Sequence, residues 1–122
     1  MEYDYTNDLA QFKIEDDFLR IVFATDLKIS IDVAKALVLD RLRFQSYSDF
    51  KVLCDVSQIH FIDIEARTYL STYGSSLLKK VALVACTPPL YQMARFYIRT
   101  NTPKVPTAVF RTTEEAELYL KL

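Results

Sequence analysis

A chain of 122 residues with 51% hydrophobic and 25% charged side chains has the size and composition of one folded domain that buries its own core. A formal net charge of −1 and a pI near 5.8 leave no electrostatic footprint for nucleic acid or an anionic membrane. With a single glycine, the glycine-rich loops that cradle phosphates are excluded, so neither a dinucleotide-binding turn nor a P-loop is expected.

The start, Met1-Glu2-Tyr3-Asp4-Tyr5, lacks the positive and apolar regions of a secretory leader, and no run approaches the ~20 apolar residues of a membrane-spanning helix. The expectation is a cytoplasmic protein with no membrane span. Residues 1–8 read as an N-terminal tail and residues 9–122 as a single domain. Residues 9–14 alternate as a strand, Glu15-Asp16-Asp17 breaks the pattern, and residues 18–24 form a second strand, which predicts a hairpin. Ser30 is a suitable N-cap for a helix over 31–43, whose apolar positions 31, 34, 38 and 42 share a face. Arg41 and Arg43, beside Asp40, are expected to extend from it into water.

Residues 50–56 read as a strand covered on both faces, as in a parallel sheet. A loop follows, and Asp63 caps a helix with apolar positions 66, 70, 73 and 77. Residues 81–86 give the clearest central strand, and Thr87-Pro88-Pro89 opens a helix to about residue 99. Pro103 and Pro106 bracket a turn before a last strand at 107–110. Thr112 and Glu115 form a capping box for a helix through residue 120. The order β-β-α-β-α-β-α-β-α predicts an α/β fold: a mixed, mostly parallel five-stranded sheet with helices packed on it.

Functional interest centres on residues 54–65, where a strand ends and a helix begins, the place in α/β sheets where ligands and partners dock. Cys54 and Cys86 lie in apolar runs without a C-x-x-C pair or a basic neighbour in the local sequence, and read as two reduced core thiols. His60, the only histidine, is flanked by Ser57, Asp55, Asp63 and Glu65; it reads as an exposed loop residue, with a hydrolase using Ser57 and His60 as a remote reading. No metal or cofactor is expected from so few ligating side chains. Arg95 and Arg99 share a helix face near Tyr91, as a solvated face or a small anion or partner patch. Eight tyrosines and eight phenylalanines, among them Tyr69, Tyr73, Tyr91 and Tyr97 on the two middle helices, mostly serve the core.

The run Asp55-Val56-Ser57, then Phe61-Ile62, then Asp63-Ile64-Glu65-Ala66, together with the element order, resembles the STAS domain of bacterial anti-sigma factor antagonists, the SpoIIAA-like group. That family carries an Asp-Leu-Ser-like turn, an apolar pair, and Asp-Ser-Ser-Gly at the helix start. Here Asp63 keeps the cap. Ile64 and Glu65 stand at the two serines, of which the second is the family's phosphoacceptor, and Ala66 stands at the glycine. Residues 81–86, Met93-Ala94-Arg95-Phe96, Lys104-Val105-Pro106 and 109–116 are similar to small uncharacterised bacterial STAS-like proteins.

The resemblance implies a non-enzymatic regulatory module that docks through the loop and helix start at 57–67 onto a protein partner or a second copy of itself, as a homodimer. It would lack the phosphoacceptor serine, and Glu65 would hold a fixed charge in its place. The candidate interaction residues are Ser57, His60, Asp63, Glu65, Arg67, Tyr91, Arg95 and Arg99. The alternative is a small-molecule binding protein, for a lipid or nucleotide, with a pocket between the helix starts near 63 and 88.

Overall fold

The computed structural model describes residues 2–122. Strands β2 (Ala10–Glu15) and β3 (Phe18–Phe23) form the expected antiparallel hairpin, turned by Asp16-Asp17. Ahead of it, β1 (Tyr5–Thr6) pairs antiparallel with β2, so the segment expected as a tail adds a strand; Met1 lies outside the described residues. Next come β4 (Leu27–Ile29), α1 (Ile31–Phe44), β5 (Phe50–Asp55) and β6 (Ile59–Ile62). The chain closes with α2 (Ile64–Ser71), β7 (Leu78–Val84), α3 (Pro88–Asn101), β8 (Thr107–Phe110) and α4 (Thr113–Lys121).

The main sheet runs β1-β2-β3-β5-β7-β8, antiparallel through the hairpin and parallel from β3 onward. It is mixed and mostly parallel, as expected, with six strands instead of five because of β1. A second, two-stranded parallel sheet joins β4 to β6, so the stretch expected as an open loop contains a strand. Helix α2 stops at Ser71 instead of reaching 77. The hydroxyls of Ser71 and Thr72 both donate back to the Thr68 carbonyl, at 3.0 and 2.8 Å, and compete with the helical ladder. A single 3-10 turn, Tyr73–Ser75, follows.

Side-chain alternation sorts the central strands into two faces. Phe18, Leu53, Ala82 and Val84 pack against Ala116 and Leu120 of α4. Leu19, Ile21 and Val52 face α1 and α2, and Val81 and Leu83 face Ala94 of α3. On the α4 face, Arg20 is 8% exposed and its guanidinium lies 2.7 Å from both Glu15 and Glu117, tying the hairpin to α4. Burial acts against its charge, but the hydrogen bonds and charges of the two glutamates prevail and hold its pKa above the ordinary value. Lys51 and Lys80 reach from the sheet to the Leu120 and Tyr119 carbonyls, each at 2.7 Å, and place two cations at the carboxyl end of α4. At its other end Thr112 accepts from the Glu115 N–H at 3.3 Å, while the Glu115 carboxylate takes the Thr112 hydroxyl instead of the backbone N–H of a full capping box.

With one glycine, the chain makes its left-handed turns from other residues. Asp16, Asp26, Ser46, Tyr47, Leu77 and Thr102 all have φ between 41° and 59°. Gly74 is not in that region. Thr102 is the least suited, because it is β-branched and ends α3 in the conformation that usually selects glycine. Thr102→Gly is expected to stabilise the protein by about 0.5–1 kcal/mol, the relieved strain being partly offset by glycine's greater freedom in the unfolded chain. A urea midpoint that fails to rise would contradict this.

Candidate functional site

The segment 55–65 is fixed at every step. Asp55 Oδ1 accepts from the Ser57 N–H at 3.0 Å, and Ser57 Oγ accepts from the Cys86 N–H at 3.3 Å, so this hydroxyl holds the ends of β5 and β7 together. Within β6, Leu27 pairs with Ile59 but Lys28 pairs with Phe61, so His60 is one residue extra. That bulge resets the alternation. Ile59 and Ile62 turn inward, while His60 and Phe61 face water, Phe61 at 55% exposure. Asp63 caps α2 by accepting from the Ala66 N–H at 2.8 Å, and its own N–H donates to Ile29. Ile64 is 71% exposed beside the exposed Glu65.

The remaining predicted residues separate. Tyr91 is half-buried, and the Arg95 guanidinium lies 5.9 Å above its ring; Arg95 and Arg99 are exposed. Arg67 behaves differently. It turns into the interior, and its Nε is buried without any hydrogen-bond partner.

The space it faces is a cavity of about 430 Å³ between the sheet and helices α1, α2 and α3. Its floor is a row of side chains in register across four strands, Phe12, Ile21, Cys54 and Leu83. Val38 and Arg41 of α1, Leu70 of α2, and Met93 and Tyr97 of α3 wall it, and Ile59 and Ile62 close one side. Met93 and Phe96, both exposed, mark its rim on α3. The predicted pocket between helix starts is thus displaced: the cavity runs between the bodies of α2 and α3 and down to Pro103 and Val105.

Two expectations about polar residues are corrected. Arg41 does not extend into water. It is 5% exposed, because the buried stripe of α1 runs Ala34, Leu37, Val38, Arg41 and on to Gln45, a spacing that continues the apolar face. Its guanidinium donates to Gln45 Oε1 and to the carbonyls of Gly74 and Ser76 at 3.0 and 3.1 Å. Burial pulls its pKa below the ordinary guanidinium value, with the nearby Cys54 opposing. Cys86 is exposed at the end of β7 and is not a core thiol. Cys54 faces the cavity, and burial pushes its thiol up to about 12; Arg41 opposes this and Asp55 adds to it. Burial likewise raises the Tyr97 phenol. Cys54, Arg41 and Tyr97 were not legible as site residues, since only Arg41 left a signal, its place on the apolar stripe.

By architecture this is a SpoIIAA-like α/β module. Its fold is similar to that of an uncharacterised protein of the DUF3478 family from Shewanella loihica PV-4, with a TM-score of 0.66 over 98% of each chain at 11% identity. At that identity the likeness concerns the fold alone. Residues 12–122 match the domain of unknown function DUF7793, and the chain belongs to that family. No curated protein matches the sequence. No helix among the described residues is long and apolar enough to cross a membrane, and no group of side chains there is arranged to hold a metal ion.

The contrast between the two thiols is testable. At pH 8 iodoacetamide is expected to modify Cys86 readily in the native protein and Cys54 far more slowly, because its thiol stays protonated, with the difference lost on denaturation, as counted by intact mass. The folded-state value of Cys54 lies above the ordinary 9.0. Its stability contribution is therefore intact below pH 9 and falls as pH rises toward 12, where the unfolded chain alone ionises. Cys54→Ala is expected to flatten that alkaline decline in denaturation midpoints.

Proposed function

We propose that this protein is a non-enzymatic STAS-like module that binds a small apolar ligand between its sheet and helices α2 and α3. The observation that carries the reading is the cavity. It opens to solvent along α3, and a half-enclosed space of about 430 Å³ lined almost wholly by apolar side chains has the size and character of a ligand site. Its lining is aliphatic and aromatic with a few polar groups, the usual composition of such sites.

A neutral apolar probe, N-phenyl-1-naphthylamine, is expected to bind saturably with blue-shifted fluorescence. Ala94→Phe, which places a ring in the cavity from α3, is expected to weaken that binding at least ~10-fold, or about 1.4 kcal/mol, without changing the circular dichroism. No saturable signal in the wild type would remove the reading.

A second reading, docking through the 57–67 surface, is supported by the exposure of Phe61 and Ile64 next to Glu65. Large apolar side chains at a rigid strand and helix start suit a protein partner or a second copy. If self-association is the use, sedimentation at micromolar concentration gives a dimer that becomes a monomer in Phe61→Ser with Ile64→Ser. A wild-type monomer that also recovers no partner from a native lysate would count against docking.

A further inference from the structure

The whole chain carries a net charge of −1, yet its cavity is lined by Arg41 and Arg67 and by no aspartate, glutamate, lysine or histidine. Neither arginine has a carboxylate partner; among the described residues both ion pairs belong to Arg20. The two differ in what they have left to give. Arg41 is committed to Gln45 and to the carbonyls of Gly74 and Ser76. Arg67 retains a buried Nε–H with no acceptor. An unmet buried donor on a charged group is costly, and in a native structure it marks the place of a missing acceptor.

We propose that the cavity takes a single-chain amphipathic carboxylate, with its carboxylate on Arg67 and its hydrocarbon chain along the row Phe12, Ile21, Cys54 and Leu83. This rests on the ligand reading of the cavity and adds the chemistry of the ligand. Arg67 supplies the charge-assisted hydrogen bond, and Arg41 supplies a fixed positive field from deeper in the wall. The same lining disfavours a nucleotide. Its neutral polar side chains are few, Ser75, Gln92, Thr107 and the Tyr97 phenol among them, and it has no loop of backbone N–H groups for a phosphate.

The test is displacement of N-phenyl-1-naphthylamine from the full chain by decanoate, by 1-decanol and by decyltrimethylammonium, which share a chain and differ in head group. Decanoate is expected to displace the probe at a concentration at least ~10-fold below decanol, with the cation weakest, since one charge-assisted hydrogen bond is worth about a factor of ten or more. Arg67→Gln is expected to bring the decanoate-to-decanol ratio close to one; Arg67→Lys, which keeps the charge, is expected to retain part of that ratio. Equal displacement by decanoate and decanol, or an Arg67→Gln loss shared by both, would overturn the anion assignment and leave the apolar site standing. Failure of the probe itself to bind would overturn both.

Discussion

The fold depends on a guanidinium held in an apolar wall without a counter-ion. Removing such an ion from water costs several kcal/mol, so its site must return most of that in hydrogen bonds. Arg41 finds them in backbone carbonyls, those of Gly74 and Ser76, and in Gln45 Oε1. Gln45 in turn donates to the carbonyls of Ser48 and Leu77. One network therefore joins the end of α1, the turn after it and the connection from α2 to β7. That backbone is left-handed at Ser46, Tyr47 and Leu77, where regular pairing stops and the carbonyls need other donors. Because α2 is suspended from α1 in this way, it does not settle onto β7. α3 packs over β7 and β8 on the same face of the sheet, and the cavity is the interval left between the two helices.

A second constraint comes from composition. Six non-glycine residues in the left-handed region is a large number for so short a chain, and each stores strain that the surrounding hydrogen bonds must hold. The effect is to stiffen turns that glycine would loosen. The hairpin turn, the entry to β4, the starts of the α1–β5 and α3–β8 connections and the end of the α2–β7 connection are set by residues with fewer unfolded conformations.

Most of the frame was readable from the sequence, because periodicity and caps report local free energies. Ser30, Asp63, Thr87 and Thr112 each accept a hydrogen bond from the third residue of the helix that they open, as their positions predict. The paired alternation of residues 9–24 fixed the hairpin. What escaped were features set by distant neighbours. β1 and β4 are short and owe their existence to the strands beside them, β2 and β6. The end of α2 is decided by hydroxyls of Ser71 and Thr72 turning back on Thr68, although the apolar pattern continues to Leu77. At the site the division is similar. Asp63 and Ser57 were recognisable as residues of the turn, and both prove to be fasteners of backbone. Arg67 entered through its nearness to that turn, while Arg41, Cys54 and Tyr97 converge only through tertiary packing.

The extra residue in β6 joins these two halves of the molecule. In a regular strand Ile59 and Phe61 would share a face and His60 and Ile62 the other. The bulge at His60 puts both isoleucines against the cavity and leaves both His60 and Phe61 to solvent. A four-residue strand thus has a wholly apolar back in the cavity wall and a front on the surface that the STAS-like resemblance marks for docking. Its backbone is held by β4, with the Asp63 N–H on Ile29 continuing that pairing and the Ile59 N–H on Val56 tying its start to the preceding turn. Pressure on Ile59 or Ile62 from inside would be borne by this small sheet before the six-stranded one, and it would be felt first at Phe61 and at the start of α2. The start of α2, which the STAS-like resemblance singles out, is therefore the outer side of the cavity wall. Glu65 is exposed there, and Arg67, two residues further along the same helix, faces the cavity behind it.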